Sequence, residues 1–283
     1  MNYKDSFSGS KFELFEKNNE QLYIKKFYKK INKRDVQSFI KQKNFQSYFI
    51  DSYKIESAHI KNFEKKKKYI VLKYYNGLSG SDLILSSDTE MHKVLNIFLK
   101  RYINNLIISS KREAFNKRSY LLKCKEIQKK TLPKHMHLYK KIFRKIYLKL
   151  DNVKFNLRGS CHGDLTLSNI IINKELKKII LIDFLKTYNE SPLQDICKLI
   201  QDLRLYWSSR RFNKTDMLRA KIFCDNLNPF SLLKKHSLYK IIEIEMLMTL
   251  LRILPYVPIN DIETLKWIDS SFKKLNFNFF KKI

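Results

Sequence analysis

The sequence predicts an α+β protein of two lobes, the first small and strand-rich, the second larger and mainly helical. Two observations carry this. Runs with strong β propensity crowd into residues 3–75, whereas apolar residues at i, i+3, i+4, i+7 spacing dominate from residue 88 onward. A Gly-containing connector, Leu78-Ser79-Gly80-Ser81-Asp82, falls between them. The lobes are expected at residues 1–77 and 78–283, and a length of 283 is comfortable for two lobes sharing a cleft.

The elements follow in order. Phe12, Leu14 and Phe15 form a short β-prone run, Lys17-Asn18-Asn19-Glu20 reads as a turn, and Leu22-Tyr23-Ile24-Lys25-Lys26-Phe27 is a second strand. Residues 33–46 read as a helix with Val36, Phe39 and Ile40 on one face, and 53–60 as a strand. The four-lysine run Lys65 to Lys68 reads as a solvated turn before the strand Tyr69 to Tyr75, which ends at the turn pair Asn76-Gly77. Helices are expected over 88–108, 115–129, 136–150, 192–208, 215–226, 237–254 and 261–275, with Pro192, Pro229, Pro255 and Pro258 marking boundaries. The stripe Met91, Val94, Leu95, Phe98, Leu99, Tyr102 and Leu106 is core.

Composition narrows the classes. Hydrophobic residues make up 44%, enough for a sizeable core, and five Gly and five Pro argue against a disordered or collagen-like chain. The net charge of +30 would suit nucleic acid or an anionic surface. The abundance of Lys, Asn, Ile, Phe and Tyr, all with A/T-rich codons, offers a compositional origin for it, and the lysines are spread along the whole chain. Either way the field attracts anionic partners. Cys124, Cys161, Cys197 and Cys224 are far apart, with neither disulfide-framework nor zinc spacing, which suits a reducing cytoplasm. Met1 to Gly9 lacks a signal-peptide core, and no apolar run reaches the roughly 18 residues that a membrane span needs.

One segment interrupts the helical half. Cys161-His162-Gly163-Asp164-Leu165-Thr166-Leu167-Ser168-Asn169 precedes the apolar strand Ile170-Ile171-Ile172, a polar turn, a second strand Ile179-Ile180-Leu181-Ile182, and Asp183-Phe184. This reads as a β-hairpin with polar groups at its two entrances. Asp164 and Asn169 lie on one loop, and the hairpin returns Asp183 to them. Transfer of a phosphoryl group from ATP needs this kind of set: a carboxylate to orient the attacking hydroxyl, and hard oxygen donors for magnesium on the phosphates.

H-G-D-x-x-x-x-N, an apolar hairpin and I-D-F together resemble the aminoglycoside phosphotransferase and choline kinase family, which has the protein-kinase-like fold. The resemblance covers about residues 158–200 and implies a small β-rich N-lobe and a helical C-lobe. It implies ATP and Mg2+ as cofactors, Asp164 as catalytic base, Asn169 and Asp183 as metal and nucleotide ligands, and His162 as a structural buttress. Gly163, where protein kinases carry Arg, and the lack of an A-P-E-like segment favour a small-molecule acceptor over a protein. Ser191-Pro192-Leu193-Gln194-Asp195 resembles the family's P-L-x-D segment. Asp195 there would begin or buttress a helix that supports the catalytic loop, although an ordinary helix-start carboxylate explains it equally. In the N-lobe, Leu22-Tyr23-Ile24-Lys25 resembles V-A-I-K and makes Lys25 the expected phosphate lysine, with Lys26 on the opposite strand face. Ser10, with Ser8 and Gly9, stands where a phosphate loop is expected, without G-x-G-x-x-G. The first helix offers no clear Glu to orient the lysine, only Asp35, Gln37 and Gln42, and Tyr74 to Gly77 form the expected hinge.

The expected activity is transfer of the ATP γ-phosphate to a hydroxyl of a small acceptor: a sugar, glycan precursor or amino alcohol. An aminoglycoside-like polycation would need an acidic pocket, for which the second half offers Glu190, Asp202, Glu243 and Glu245. A choline-like cation would want an aromatic cage, for which it offers Tyr188, Tyr206 and Trp207. The residues around Leu185 to Pro192 resemble family members linked to bacterial surface polysaccharide synthesis. The competing readings are a catalytically inactive kinase-shaped nucleotide binder, for which the missing Glu speaks, and a basic nucleic-acid-binding protein. The latter would place basic and aromatic residues together on one face.

Overall fold

The computed structural model describes residues 11–17, 21–230, 233, 238–275 and 279. Two compact units result. The first comprises the chain up to Leu83 together with Ser168–Lys186; the second comprises Ile84–Leu167 and the chain from Thr187 on.

The first unit is built on two sheets. Strands β1 (Lys11–Lys17), β2 (Gln21–Phe27), β5 (Ile60–Glu64) and β6 (Tyr69–Lys73) form an antiparallel sheet in the order β1-β2-β6-β5. Its register decides the fate of the two adjacent lysines. Ile24 lies opposite Leu14 and Leu72, and Lys26 lies opposite Phe12 and Ile70, so Lys26 shares the aliphatic face with Ile24. Lys25 falls on the other face, opposite Glu13 and Val71.

The second sheet explains why the hairpin expected in the second lobe packs in the first unit. Strands β3 (Tyr48–Ile50), β4 (Tyr53–Ser57), β7 (Leu78–Ser79), β10 (Ile170–Asn173) and β11 (Lys178–Leu181) lie in the order β3-β4-β11-β10-β7. β11 pairs parallel with β4, and β10 pairs antiparallel with β7, inside the expected connector. The hairpin strands are apolar on both faces because both are covered: Ile170, Ile172, Ile179, Ile180 and Leu181 are all at most 1% exposed. Gly77 is required just before β7. A Cβ there would sit 2.6 Å from the Ile172 carbonyl oxygen, closer than such atoms approach.

Helix α1 (Lys33–Lys43) starts at an Asn32–Asp35 capping box. Its expected apolar face is not what it buries. Ile40 is 53% exposed, while Ser38 and Gln42 are buried because they satisfy backbone groups: Ser38 Oγ accepts the Lys186 N–H, and Gln42 Nε2 donates to the Ala58 carbonyl. The expected strand at 53–60 is β4 and ends at Ser57, and β5 starts only at Ile60.

The second unit carries α2 (Thr89–Ile108), α3 (Lys117–Lys130), α4 (Pro133–Leu150), α5 (Pro192–Leu203), α6 (Lys214–Asn226), α7 (Tyr239–Leu251) and α8 (Ile262–Lys274). A short ribbon of β8 (Lys111–Ala114) and β9 (Phe155–Arg158) accompanies them, which the sequence did not predict. The apolar stripe of α2 is core, with Leu95, Phe98 and Leu99 fully buried. Helix α5 is the axis of this unit. Pro192 opens it at the first turn, where the missing N–H costs nothing, and Ser191 caps it. Every residue from Pro192 to Leu203 is buried except Lys198. Five of these twelve are polar or charged (Gln194, Asp195, Lys198, Gln201, Asp202), and burying such groups is costly unless each has a partner. Gln194, Asp195, Lys198 and Asp202 have partners that build the candidate site and its surroundings, while among the described residues the Gln201 side chain is buried without one. Among the described residues no helix is long and apolar enough to cross a membrane.

Candidate active site

The residues expected to do chemistry fall into two sets, one in each unit. In the first unit, the hairpin brings Asn169 and Asp183 to its same end: the Ile182 N–H donates to the Asn169 carbonyl at 3.1 Å, one residue before Asp183. Asp183 has φ +58, in the left-handed region. Backbone of that kind in a non-glycine residue is uncommon, although Asp tolerates it better than most, and it concentrates at functional sites. Both Asp183 oxygens accept hydrogen bonds from Nζ of Lys26 at 2.8 Å. Lys26 itself is 6% exposed and lies between the rings of Phe12 and Tyr28, 5.5 and 5.7 Å away. Burial and the nearby Asp183 and Asp35 charges push the Tyr28 phenol far up, so it stays neutral beside this pair.

Of the two adjacent lysines, it is Lys26 and not the expected Lys25 that the structure places beside Asp183. Lys25 pairs loosely with Glu13 at 3.8 Å and lies over the Tyr69 and Phe27 rings on the outer sheet face, away from Asp183. The sequence did contain the deciding signal: Leu22, Ile24 and Lys26 share parity, so the lysine beside Asp183 is the one in phase with the aliphatic residues. None of the three helix candidates bonds to Lys26. Asp35 closes the cap of α1, Gln42 bonds Ala58, and Gln37 is exposed. In the expected hinge, the Asn76 carbonyl accepts from the Asn173 amide and the Tyr74 N–H bonds the Leu22 carbonyl. Ser10 lies outside the described residues.

In the second unit, Asp164 sits on a loop held from behind by α5. The Asp195 carboxylate, fully buried, accepts the His162 and Gly163 N–H groups at 2.6 Å each, and the Tyr102 hydroxyl lies 3.5 Å from it. This decides between the two readings of Asp195 in favour of the loop support. Gly163 has φ +92, a conformation that a side chain would strain. The turn places Nδ1 of the fully buried His162 where it accepts the Asp164 N–H at 3.2 Å. Asp202 supports the far end: its Oδ2 accepts the Leu167 N–H at 2.6 Å and its Oδ1 accepts from Ser208. Burial raises the Asp202 carboxyl above its ordinary value against the pull of those donors.

Lys198, the partly exposed member of α5, donates to Asp164 Oδ1 at 2.9 Å. Burial alone would raise the Asp164 carboxyl. The charge and hydrogen bond of Lys198, with the charges of Arg252 and His162, outweigh it and hold the carboxyl below its ordinary value. Asp164 is therefore an anion at neutral pH, with its side chain 27% exposed. Beside it lies a network that sequence spacing did not reveal. Glu245 of α7, fully buried, accepts from the Tyr120 hydroxyl, from the Tyr188 hydroxyl at 2.6 Å and from Gln194 Nε2 at 2.6 Å. Arg252, just past α7, donates to the Gln194 side-chain Oε1 at 2.9 Å. No pattern short of the folded packing of α5 on α7 brings these residues together.

Against this geometry, residues 85–204 match the model of the ecdysteroid kinase-like family, a segment that holds Asp164, Asn169 and Asp183. Among solved structures, the chain is similar to the choline kinase LicA from Streptococcus pneumoniae, with a TM-score of 0.55 at 15% identity over 93% of this chain and 89% of that one. A Plasmodium vivax ethanolamine kinase gives 0.51 at 11% identity, covering 96% of this chain and 84% of that one. The chain has a protein-kinase-like fold. A gentamicin complex of APH(2″)-IIa gives 0.50 at 18% identity over 98% of this chain and 92% of that one. No curated protein matches the sequence. The kinase-like fold thus extends the likeness carried by the H-G-D-x-x-x-x-N segment over nearly the whole chain.

Proposed function

We propose that this protein is a small-molecule kinase, transferring the γ-phosphoryl group of ATP to a hydroxyl of a small acceptor. The observation that carries the reading is Asp183. It is a carboxylate in left-handed backbone, at the same hairpin end as Asn169 and bonded through both oxygens to a buried lysine. A strained anion with a buried cation serves no evident structural need of the hairpin, whereas nucleotide phosphates need both a cation and a metal-binding carboxylate.

In this reading Lys26 holds the nucleotide phosphates, and Asp183 with the Asn169 amide oxygen holds Mg2+. The donors fit that ion. They are hard oxygens, and Mg2+ is usually bound by one or two carboxylates plus substrate phosphates rather than by a dedicated protein cage. Among the described residues no group of three His, Cys, Asp or Glu could hold a metal. When bound, the ion would neutralise charge on the phosphate oxygens. Asp164 is the base: as an anion on a loop fixed by Asp195 and Asp202, it orients the acceptor hydroxyl and takes its proton as the oxygen attacks phosphorus. The family match over Asp164, Asn169 and Asp183 and the small-molecule kinases among the similar structures support this.

The test is mass spectrometry of a metabolite and sugar mixture incubated with ATP, Mg2+ and the protein, beside Asp164→Asn. A phosphorylated species is expected with the unsubstituted protein and not with Asp164→Asn. Asp183→Asn is expected to lose the Mg2+ dependence of ATP binding. Full transfer by Asp164→Asn would remove it as base.

A further inference from the structure

The acids that a polycationic acceptor would need are already committed. Glu245 is buried under three donors, and Asp202 binds the Leu167 N–H and Ser208. Glu190 accepts from Thr187, and Glu243 pairs with Lys145 and Lys149. What the wall beside Asp164 presents instead is cationic. Gln194 and Lys198 are one turn apart on α5 and so share a face; Glu245 and Arg252 are two turns apart, the second just past the end of α7. Lys198, with its side chain 12% exposed, reaches the reactive carboxylate directly. Arg252 is half-buried, its charge is felt at Asp164, and it uses one guanidinium donor on Gln194; among the described residues its other donors have no protein partner. A guanidinium offers five donors in a planar fork suited to carboxylate or phosphate. The Tyr188 hydroxyl is held neutral by burial and by Glu245, at the same place.

Resting on the kinase reading, we infer that Lys198 and Arg252 form an anion subsite beside Asp164, and that the acceptor is a hydroxyl compound bearing a carboxylate or phosphate group. The acceptor's anion docks on the Arg252 fork and draws Lys198 toward it, while its hydroxyl meets Asp164. A cationic acceptor would meet two positive charges there, while the Glu245 carboxyl is buried under its three donors. The Gln194 side chain, bonded to both Glu245 and Arg252, also fixes the Arg252 head so that little orientation is lost on binding.

The test is calorimetric titration of the whole chain, with and without Mg2+ and a non-hydrolysable ATP analogue, using two matched sets: glucuronate, glucose and glucosamine; and glycerol 3-phosphate, glycerol and choline. The anionic member of at least one set is expected to bind ten-fold or more tighter than its neutral and cationic counterparts. Arg252→Met and Lys198→Met should each erase most of that preference while changing the affinity of the neutral member less than about three-fold. Lys198→Arg, which keeps the charge, should retain it. Preference for a cationic member, equal binding within a set, no binding of any member, or an anion preference that survives both Met substitutions would each overturn the subsite. Failure of the ATP analogue to bind would instead overturn the kinase reading, and the charge preference in its absence would still decide the subsite.

Discussion

Replacing Asp195 with Asn changes one atom and tests how the Asp164 loop is held. The carboxylate accepts two successive backbone N–H groups at 2.6 Å in a place with no solvent. An amide retains one acceptor oxygen and turns an NH2 group toward the other N–H, so one bond becomes neutral and one buried donor loses its acceptor. The first change costs about 1 kcal/mol and the second roughly 1–3 kcal/mol, a total of about 2–4 kcal/mol. Against the roughly 5–15 kcal/mol that separates folded from unfolded states, that is a large fraction. The urea midpoint should fall accordingly. The loop should also shift, and a displacement of about 1 Å in a catalytic group can cost on the order of 100-fold in turnover. Urea denaturation followed by far-UV circular dichroism reads the first effect, and initial rates on the acceptor found by mass spectrometry read the second. If Asp195→Asn unfolded within about 0.5 kcal/mol of the parent, the range of an ordinary surface substitution, the carboxylate would not be supporting the loop.

Two further predictions separate residues that the sequence alone confuses. Lys26→Met should weaken ATP-analogue binding at least ten-fold, while Lys25→Met, on the outer sheet face, should change it less than about three-fold; calorimetry with both variants checks this, and the opposite ranking would return the role to Lys25. Lys198→Met should move the acidic limb of the pH–rate profile upward. The sign follows from Asp164, whose carboxyl is held below its ordinary value chiefly by Lys198 against burial. With Lys198 in place, Asp164 stays ionised, and its ion pair contributes stability, at all pH above its ordinary range; both are lost only as pH falls through the depressed value. Without Lys198, burial dominates and protonation begins at higher pH, which rates from pH 4 to 8 would show; an unmoved limb would refute the coupling.

The candidate site is written locally, and its supports are not. Asp164, Asn169 and Asp183 could be read because the roles proposed for them impose spacing along one loop and hairpin. Lys26 was within reach, since the parity of Leu22 and Ile24 fixes which lysine faces inward, and a slip of one residue exchanges the two faces of a strand. Asp195 could be read only as one of two alternatives. Lys198 and Arg252 carried no signal, and Asp202 and Glu245 stood out only as acids open to an acceptor, because each acquires its meaning from a partner on another element. Lys198 is 34 residues from Asp164 in sequence, and Gln194 is 51 from Glu245. The short strands β3 and β7 were missed for a similar reason. Three and two residues long, they exist through pairing with β4 and β10 rather than through their own propensity. The apolar face expected on α1 is only part of what packs there: Phe39 meets the Tyr28 and Phe63 rings, but the buried residues are Ser38 and Gln42, which satisfy backbone groups.

The parallel pairing of β4 with β11 has a consequence for how the chain is made. Ser57 waits for Leu181 as its partner, and 124 positions separate them. At the usual pace of roughly 5–20 residues per second, the ribosome needs about 6–25 s to deliver the missing strand, and during that time β4 has an unsatisfied edge. A nascent chain stopped short of residue 178 should therefore bind chaperones through this segment and resist refolding on its own, while one extended past residue 186 should not.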